Sequence, residues 1–112
     1  LIGINTPETV DPRKPVECFG KEASAKAHLW LDNQEVKLET DNTQEDVDKY
    51  GRLLRYVKLK SGFFYNLEII KQGYAYEYTY RYPYKYQKEF KAAEHFAREN
   101  KTGLWAPGVC QK

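Results

Sequence analysis

The sequence lacks a long apolar run and a strong excess of either charge. No stretch approaches the roughly 18 consecutive apolar residues that predict a membrane-spanning helix. The 18 Lys and Arg residues nearly balance the 16 Asp and Glu residues, so the formal net charge is only +2. A protein that coats nucleic acid over a large surface is usually far more basic. The near balance still permits an enzyme that holds phosphate at one local positive site.

Cysteine is also scarce, because Cys18 and Cys110 are the two in the chain and neither belongs to a CxxC motif. In a reducing compartment they would be ordinary thiols, and in an oxidising one they could pair. A bridge would close a loop of about 90 residues and, on the entropic argument, contribute about 4–5 kcal/mol. The sequence leaves both states open. It contains no P-loop and no Ser-His-Asp pattern.

The length and periodicity predict one α+β domain over residues 1–112. Strands are predicted over 1–4, 35–40, 53–59 and 74–80, and helices over 19–31, 67–72 and 86–100. The last helix is expected to carry Tyr86, Phe90, Ala93 and Phe96 on one face, and Val36 and Leu38 are expected to point the same way along their strand. Asn66 is predicted as the N-cap of the second helix, and 41–48 as a solvated acidic loop. Short strands with three helices favour a small, partly open barrel of the OB type. Because the chain begins directly in an apolar strand, we expect N-terminal strands of the domain to be missing from it.

The first segment whose residues could bind a metal or act in catalysis is Asn5-Thr6-Pro7-Glu8-Thr9. It places an amide oxygen, a main-chain carbonyl and a carboxylate just beyond the end of a strand. Hard cations such as Ca²⁺ prefer such oxygen ligands. The alternative is a strand-ending turn in which Glu8 is an ordinary solvated charge.

The second segment is Asp48-Lys49-Tyr50-Gly51-Arg52. An arginine held by a glycine turn can offer its fork of donors to a phosphate. Lys49 and Tyr50 could hold a second or terminal phosphate. The alternative is a polar hairpin loop without a ligand.

Together with the blocks at 19–23, 72–75 and 103–105, these segments occur in the order and spacing of the staphylococcal nuclease family. The chain resembles that family from Leu1 to Trp105. The resemblance implies an OB-type barrel that uses Ca²⁺ to cut DNA and RNA with little sequence preference, single strands being preferred.

The resemblance also implies roles for particular residues. In the family, the glutamate that matches Glu8 orients or activates the attacking water. The arginine that matches Arg52 stabilises charge on the phosphorane oxygens. Asn5 and Thr6 match positions that hold Ca²⁺. The positions expected to bind substrate are Lys49, Tyr50, Tyr78 and Tyr80.

Asn5 departs from the family, which normally has aspartate there. An amide oxygen can bind Ca²⁺ but brings no negative charge, so we expect weaker binding. The family's second calcium aspartate and second phosphate-binding arginine fall before Leu1. An alternative is therefore a nucleic-acid-binding OB-fold module that has lost catalysis. A purely structural or protein-binding barrel explains neither segment.

Tyrosines alternate along the sequence from Tyr74 to Tyr86. Exposed rings would form a stacking platform for bases, whereas buried rings would pack on the core with their hydroxyls at the surface. Tyr78 and Tyr80 resemble the family's nucleotide-stacking pair, and Tyr82 to Tyr86 are expected to cover the barrel. Relatives of this type are commonly exported, so we expect a secreted or cell-envelope protein of a bacterium.

Overall fold

A computed structural model describes residues 1–5, 18–48, 50–79 and 82–110. Within these ranges the chain forms short strands, α-helices and one 3₁₀ turn. In chain order they are β1 (Ile4–Asn5), α1 (Gly20–Leu31), β2 (Val36–Glu39), β3 (Tyr56–Leu59), α2 (Tyr65–Lys71), β4 (Tyr76–Glu77), α3 (Gln87–Glu99) and the 3₁₀ turn Gly103–Trp105. Three helices with short strands agree with the α+β prediction. None of the described helices is both long and apolar enough to cross a membrane.

The described strands form two antiparallel pairs. In β1 and β4, Ile4 lies opposite Glu77 and Asn5 opposite Tyr76. In β2 and β3, the register runs from Val36 opposite Leu59 to Glu39 opposite Tyr56. Of the strand predicted over 74–80, β4 covers Tyr76–Glu77 within the described residues, and Tyr80 lies outside them. The strand predicted over 53–59 begins later, at Tyr56.

The core lies where β3, α2 and α3 meet. Its largest fully buried side chains include Tyr56, Ile69, Ile70, Phe90 and Leu104. The buried face of α3 carries Phe90, Ala93 and Ala97, a spacing of three and four residues that keeps one helix face towards the core.

One residue predicted for that face lies elsewhere. Phe96 was expected beside Phe90 and Ala93, but it is 47% exposed. The sixth residue after Phe90 is rotated about 120° around the helix from it, because each residue advances about 100°. The prediction for Phe96 is therefore wrong.

Asn66 makes tertiary hydrogen bonds and is not the N-cap of a helix. The helix α2 begins before it, at Tyr65, and its side chain is fully buried. Its Nδ2 donates to the carbonyl of Ile2 (3.0 Å), and its Oδ1 accepts from the backbone N–H of Val57 (2.8 Å). One amide thus joins the first residues of the chain to β3, because it satisfies two backbone groups that would otherwise be buried without partners.

The alternation of β2 correctly predicts a strand but does not predict burial. Val36 and Leu38 were predicted to point the same way along the strand, and they are 42% and 51% exposed. No described element packs closely enough against these two side chains to bury them. Alternation of apolar and polar residues indicates that two residues share a face of the strand. Whether another element covers that face depends on the tertiary packing.

Two glycines allow the 3₁₀ turn to dock on the end of α2. Gly73 and Gly103 both have left-handed φ values, of +82° and +57°. A Cβ on Gly73 would lie 2.2 Å from the carbonyl oxygen of Thr102, which no side chain tolerates. The N–H of Leu104 donates to the carbonyl of Gly73 at 2.8 Å. The blocks at 72–75 and 103–105 therefore form one contact that positions the buried Leu104.

A disulfide joins Cys18 and Cys110, whose Cα atoms are 5.7 Å apart. It links the residues just before α1 to the segment that follows the 3₁₀ turn. The sequence left paired and free thiols as alternatives, and the described structure contains no free cysteine.

Asp41 corrects the prediction of a solvated acidic loop over 41–48, because its side chain is buried. Its Oδ2 accepts hydrogen bonds from the Tyr56 hydroxyl (2.5 Å) and from the Lys85 N–H (2.8 Å), and its Oδ1 accepts from the Thr43 N–H and hydroxyl. Burial by itself raises the pKa of Asp41, but the hydrogen bonds from Tyr56, Lys85 and Thr43 outweigh it and lower the pKa to about 2. The loop is thus tied to β3 and to the start of α3.

We expect this carboxylate to make stability depend on pH. The pKa of Asp41 falls from its ordinary value of 3.8 to about 2 on folding, so the unfolded chain binds the proton more tightly. The resulting stabilisation, about 2 kcal/mol, is fully present above about pH 4 and is lost as the pH falls towards 2. Urea unfolding followed across this interval should show a smaller pH dependence for Asp41→Asn than for the unsubstituted protein. Parallel curves for the two proteins would contradict the assignment.

Candidate functional site

Backbone hydrogen bonds among Asp48, Gly51 and Arg52 close a turn. The N–H of Asp48 donates to the carbonyl of Arg52 (2.8 Å), and the N–H of Gly51 donates to the carbonyl of Asp48 (3.0 Å). Gly51 has a φ of +80°, a conformation in which glycine has no steric penalty. Val47 and Leu53 pair as an antiparallel bridge immediately outside the turn. The predicted glycine turn is confirmed in this part of the chain.

The Asp48 carboxylate organises the turn from within. Its Oδ1 accepts from the backbone N–H groups of Tyr50 (2.8 Å) and Arg52 (2.9 Å), and its Oδ2 accepts from the Arg52 Nε (2.8 Å). Desolvation acts to raise the pKa of Asp48, but these hydrogen bonds and the Arg52 charge lower the pKa overall. Asp48 therefore remains ionised and fixes the near end of the Arg52 side chain.

The Arg52 guanidinium is held and yet accessible. Its side chain is 69% exposed, and its Cζ lies 5.3 Å from the centre of the Tyr50 ring. The bond to Asp48 uses Nε, and within the described ranges no hydrogen bond to Nη1 or Nη2 is present. A guanidinium anchored at Nε presents its two terminal nitrogens as a pair, the arrangement that suits a phosphate or carboxylate.

The first residues of the chain begin beside this turn. The N–H of Ile2 donates to the carbonyl of Arg55 (3.1 Å), three residues after Arg52. Asn5 lies three residues after Ile2, so the two Cα atoms are at most about 11 Å apart. The strand that ends at the first predicted segment therefore starts next to the second.

Several predicted site residues lie outside the described residues, namely Thr6, Glu8, Lys49 and Tyr80. Asn5, Tyr50, Arg52 and Tyr78 are described, and Asn5 is exposed at the end of β1. In the described ranges, no group of three or more His, Cys, Asp and Glu residues is arranged to hold a metal ion. The approach of Glu8 to Arg52 and the calcium site both stay predictions.

The tyrosine alternation separates into exposed and buried rings. Tyr78 is 48% exposed, and its N–H donates to the carbonyl of Gly3 (2.9 Å). Tyr84 is buried and its hydroxyl donates to Glu77 (2.8 Å). Burial and this hydrogen bond raise the pKa of Tyr84. Tyr82 was expected to cover the barrel, but it is 63% exposed, so that prediction is wrong.

Asp48 belongs to the second predicted segment, but no role was predicted for it from the sequence. The signal was present, because Asp before a turn often bonds to backbone N–H groups two residues onward. The bond to the arginine side chain could not be read from spacing, since it depends on the direction in which the turn closes. Asp48 is the positioning residue of the site that the sequence analysis missed.

Comparison with known sequences gives one family over nearly the whole chain. The sequence profile described as staphylococcal nuclease homologue matches residues 1–107. The chain is 42% identical to the thermonuclease of Staphylococcus hyicus over 106 residues and 41% identical to the thermonuclease of Staphylococcus intermedius over 105 residues. It is also 35% identical over 104 residues to a prophage-derived endonuclease of Bacillus subtilis.

These alignments cover much more of this chain than of its relatives. They include 95% and 94% of the chain but 61% of each staphylococcal thermonuclease, and 92% of the chain but 34% of the Bacillus endonuclease. The chain therefore spans about three-fifths of the length of the two thermonucleases.

Proposed function

The chain belongs to the staphylococcal nuclease homologue family, and from this premise we propose that it is a calcium-dependent endonuclease that hydrolyses DNA and RNA with little sequence preference. The observation that carries the proposal is the geometry of Arg52, whose exposed guanidinium is anchored by Asp48 on a hydrogen-bonded turn. The residues that lead to Asn5 start beside this turn. A fixed cation of this kind is suited to a phosphodiester, because it needs little reorganisation to meet charge that develops on phosphate oxygens. The family membership and the names of the relatives supply the reaction class.

In this proposal, Arg52 binds the phosphate directly. Its Nη1 and Nη2 donate to non-bridging oxygens, and those bonds strengthen as negative charge accumulates during attack by water. Asp48 keeps the guanidinium from rotating, so the donors are already oriented when substrate binds. Tyr50 lies against the same guanidinium and, with Lys49, is assigned to the terminal phosphate.

Glu8 is proposed to orient the attacking water and accept its proton. The oxygen donors of Asn5 and Thr6 suit Ca²⁺, because hard cations select amide, hydroxyl, carbonyl and carboxylate oxygens. When bound, the ion supplies Lewis-acid polarisation of the phosphate. Tyr78 and Tyr80 are assigned to the bases, preferably of single strands, whose faces are free to stack.

Family membership also motivates proposals for the architecture and the location. We propose an OB-type barrel, a fold that holds nucleic acid across its strands. We also propose that the protein is secreted or resides in a bacterial cell envelope, where an oxidising environment would maintain the disulfide between Cys18 and Cys110.

The experiment that tests this function is digestion of DNA and RNA by the protein in Ca²⁺ and in excess chelator. We expect cleavage of both nucleic acids in Ca²⁺ and its loss in chelator, with recovery when Ca²⁺ is restored. Undiminished cleavage in chelator would contradict calcium dependence. An absence of cleavage at every Ca²⁺ concentration would contradict the nuclease proposal.

Asn5 gives a quantitative prediction within the same assay. Substitution Asn5→Asp adds one negative charge to the proposed oxygen ligands, and we expect it to lower the Ca²⁺ concentration for half-maximal cleavage by about tenfold, as ligand charge tunes calcium affinity. Asn42→Asp on the exposed turn after Asp41 adds the same charge elsewhere and should change that concentration little. Equal effects of the two substitutions would indicate a general charge effect and not a ligand at position 5.

The second candidate is a nucleic-acid-binding module without catalysis, and Asn5 is the observation that favours it. An amide in place of a carboxylate weakens a calcium site that the proposed chemistry needs. Tight binding of single strands without cleavage, even for Asn5→Asp in abundant Ca²⁺, would favour this module over the enzyme.

A further inference from the structure

We propose that Tyr82 is an additional stacking site for a base of single-stranded nucleic acid, beyond the positions assigned to Tyr78 and Tyr80. This inference rests on the proposed function. It begins from the exposure of Tyr82, which is 63%, whereas Tyr84, two residues further on, is buried. Large aromatic rings normally gain by burial, so an aromatic residue left exposed to solvent is available for a ligand.

The backbone is held at Tyr82 and at the residues that follow it. The Gln44 Nε2 donates to the carbonyl of Tyr82 at 3.1 Å and lies 3.5 Å from the carbonyl oxygen of Pro83. Two residues further on, the N–H of Lys85 donates to the buried Asp41 carboxylate. Pro83 also restricts the backbone of the residue before it to extended conformations. The loop that begins at Asp41 therefore anchors the segment, and the ring projects from a restrained backbone.

A restrained tyrosine is well suited to stacking. It has two side-chain torsions to immobilise, and it offers a rigid, amphipathic face at low entropic cost. Because the backbone is already held, binding a base would order little else, which preserves the gain from stacking. A ring can stack on any base, so the site would add affinity without sequence preference.

The position of Tyr82 connects it to the candidate site. Tyr78 follows β4, which pairs with β1 opposite Asn5, and the N–H of Tyr78 bonds to Gly3. Tyr82 is four residues from Tyr78, so their Cα atoms are at most about 14 Å apart. A single strand that contacts Tyr78 and extends along this segment would bring a further base within reach of Tyr82. The gain in binding affinity from Tyr82 should therefore depend on the length of the nucleic-acid strand.

The test measures binding of fluorescently labelled oligothymidylate to the protein in chelator, which prevents the proposed cleavage. For a strand of about 12 nucleotides, we expect Tyr82→Ala to weaken binding by about tenfold, and Tyr82→Phe to bind within about twofold of the unsubstituted protein. For a dinucleotide, Tyr82→Ala should bind as the unsubstituted protein does. Phe96→Ala, which removes a similarly exposed ring from α3, is the matched control and should leave binding unchanged. Thermal unfolding of each variant verifies that the fold is retained.

Three outcomes would overturn the inference. Equal binding of the longer strand by Tyr82→Ala and the unsubstituted protein would exclude the additional stacking site while leaving the proposed function intact. An equal loss on a long blunt duplex would show that the ring does not act by stacking, because a duplex has free base faces only at its two ends. If the unsubstituted protein binds no strand of any length, the proposed function fails, and this inference fails with it.

Discussion

Replacing Arg52 by alanine is expected to lower the rate of phosphodiester cleavage by about 10²–10³-fold or more, the loss typical of removing one preorganised donor to a developing oxyanion. The physical reason is the geometry of the turn. Asp48 holds the guanidinium at Nε, so the terminal nitrogens can meet phosphate without first being ordered. Alanine removes both of those donors and leaves the Asp48 carboxylate as an uncompensated negative charge near the substrate.

Initial rates of cleavage in Ca²⁺, measured with one labelled single strand, check this prediction. The matched control is Arg98→Ala, because Arg98 is also an exposed arginine with an acidic partner four residues away, Glu94. It lies on α3 and should retain nearly full activity. Undiminished cleavage by Arg52→Ala would remove Arg52 from its assigned role.

Two further substitutions separate the proposed roles around Arg52. Glu8→Gln should also lose most activity, because the amide cannot accept the proton from water. Asp48→Asn should lose less, since it weakens the anchor but keeps the guanidinium. Arg52→Lys should not restore the rate, because an ammonium lacks the paired donors of the fork. Full activity of Asp48→Asn would show that the anchor is dispensable.

Opening the disulfide between Cys18 and Cys110 is expected to lower the free energy of unfolding by about 4–5 kcal/mol. The bond closes a loop with a sequence separation of 92 residues, and a loop of this length removes much of the entropy of the unfolded chain. Since small domains are stable by about 5–15 kcal/mol, the loss is a large share of the total. The thermal midpoint should fall by roughly 15 °C or more.

Thermal unfolding followed by circular dichroism, with and without reductant, measures this effect. The double variant Cys18→Ser with Cys110→Ser should match the reduced protein, and its midpoint should not respond to reductant. Identical midpoints for the oxidised protein and the double variant would show that the bond contributes no net stability. Mass spectrometry of the isolated protein tests the proposed location, because two free thiols would contradict an oxidising compartment.

The sequence predicted helix positions well because each helix carries its own periodicity. The last helix was expected over 86–100 and is Gln87–Glu99, and the first was expected over 19–31 and is Gly20–Leu31. The error at α2 arose because Asn66 is a favourable N-cap residue in local terms. Its actual partners, Ile2 and Val57, are distant in sequence, so no local pattern could reveal them.

The strands were less predictable, since a strand needs a partner from elsewhere in the chain. The tyrosine alternation from Tyr74 to Tyr80 has a period of two throughout, yet within the described residues the strand that pairs with β1 is Tyr76–Glu77. The same limitation applies to burial. Leu38 and Tyr82 are of residue types that are often buried, but both are exposed.

By itself, the sequence determined the family, the helices, the glycine turn before Arg52 and the identity of the residues proposed for chemistry. These are properties of residue type, order and local spacing. The tertiary structure decided which tyrosines are exposed, that Asp41 is buried, that Asp48 anchors the guanidinium of Arg52, and that Cys18 meets Cys110. Each of these depends on the direction in which a backbone brings a side chain to a partner, and direction over long sequence separations is set only when the whole chain packs.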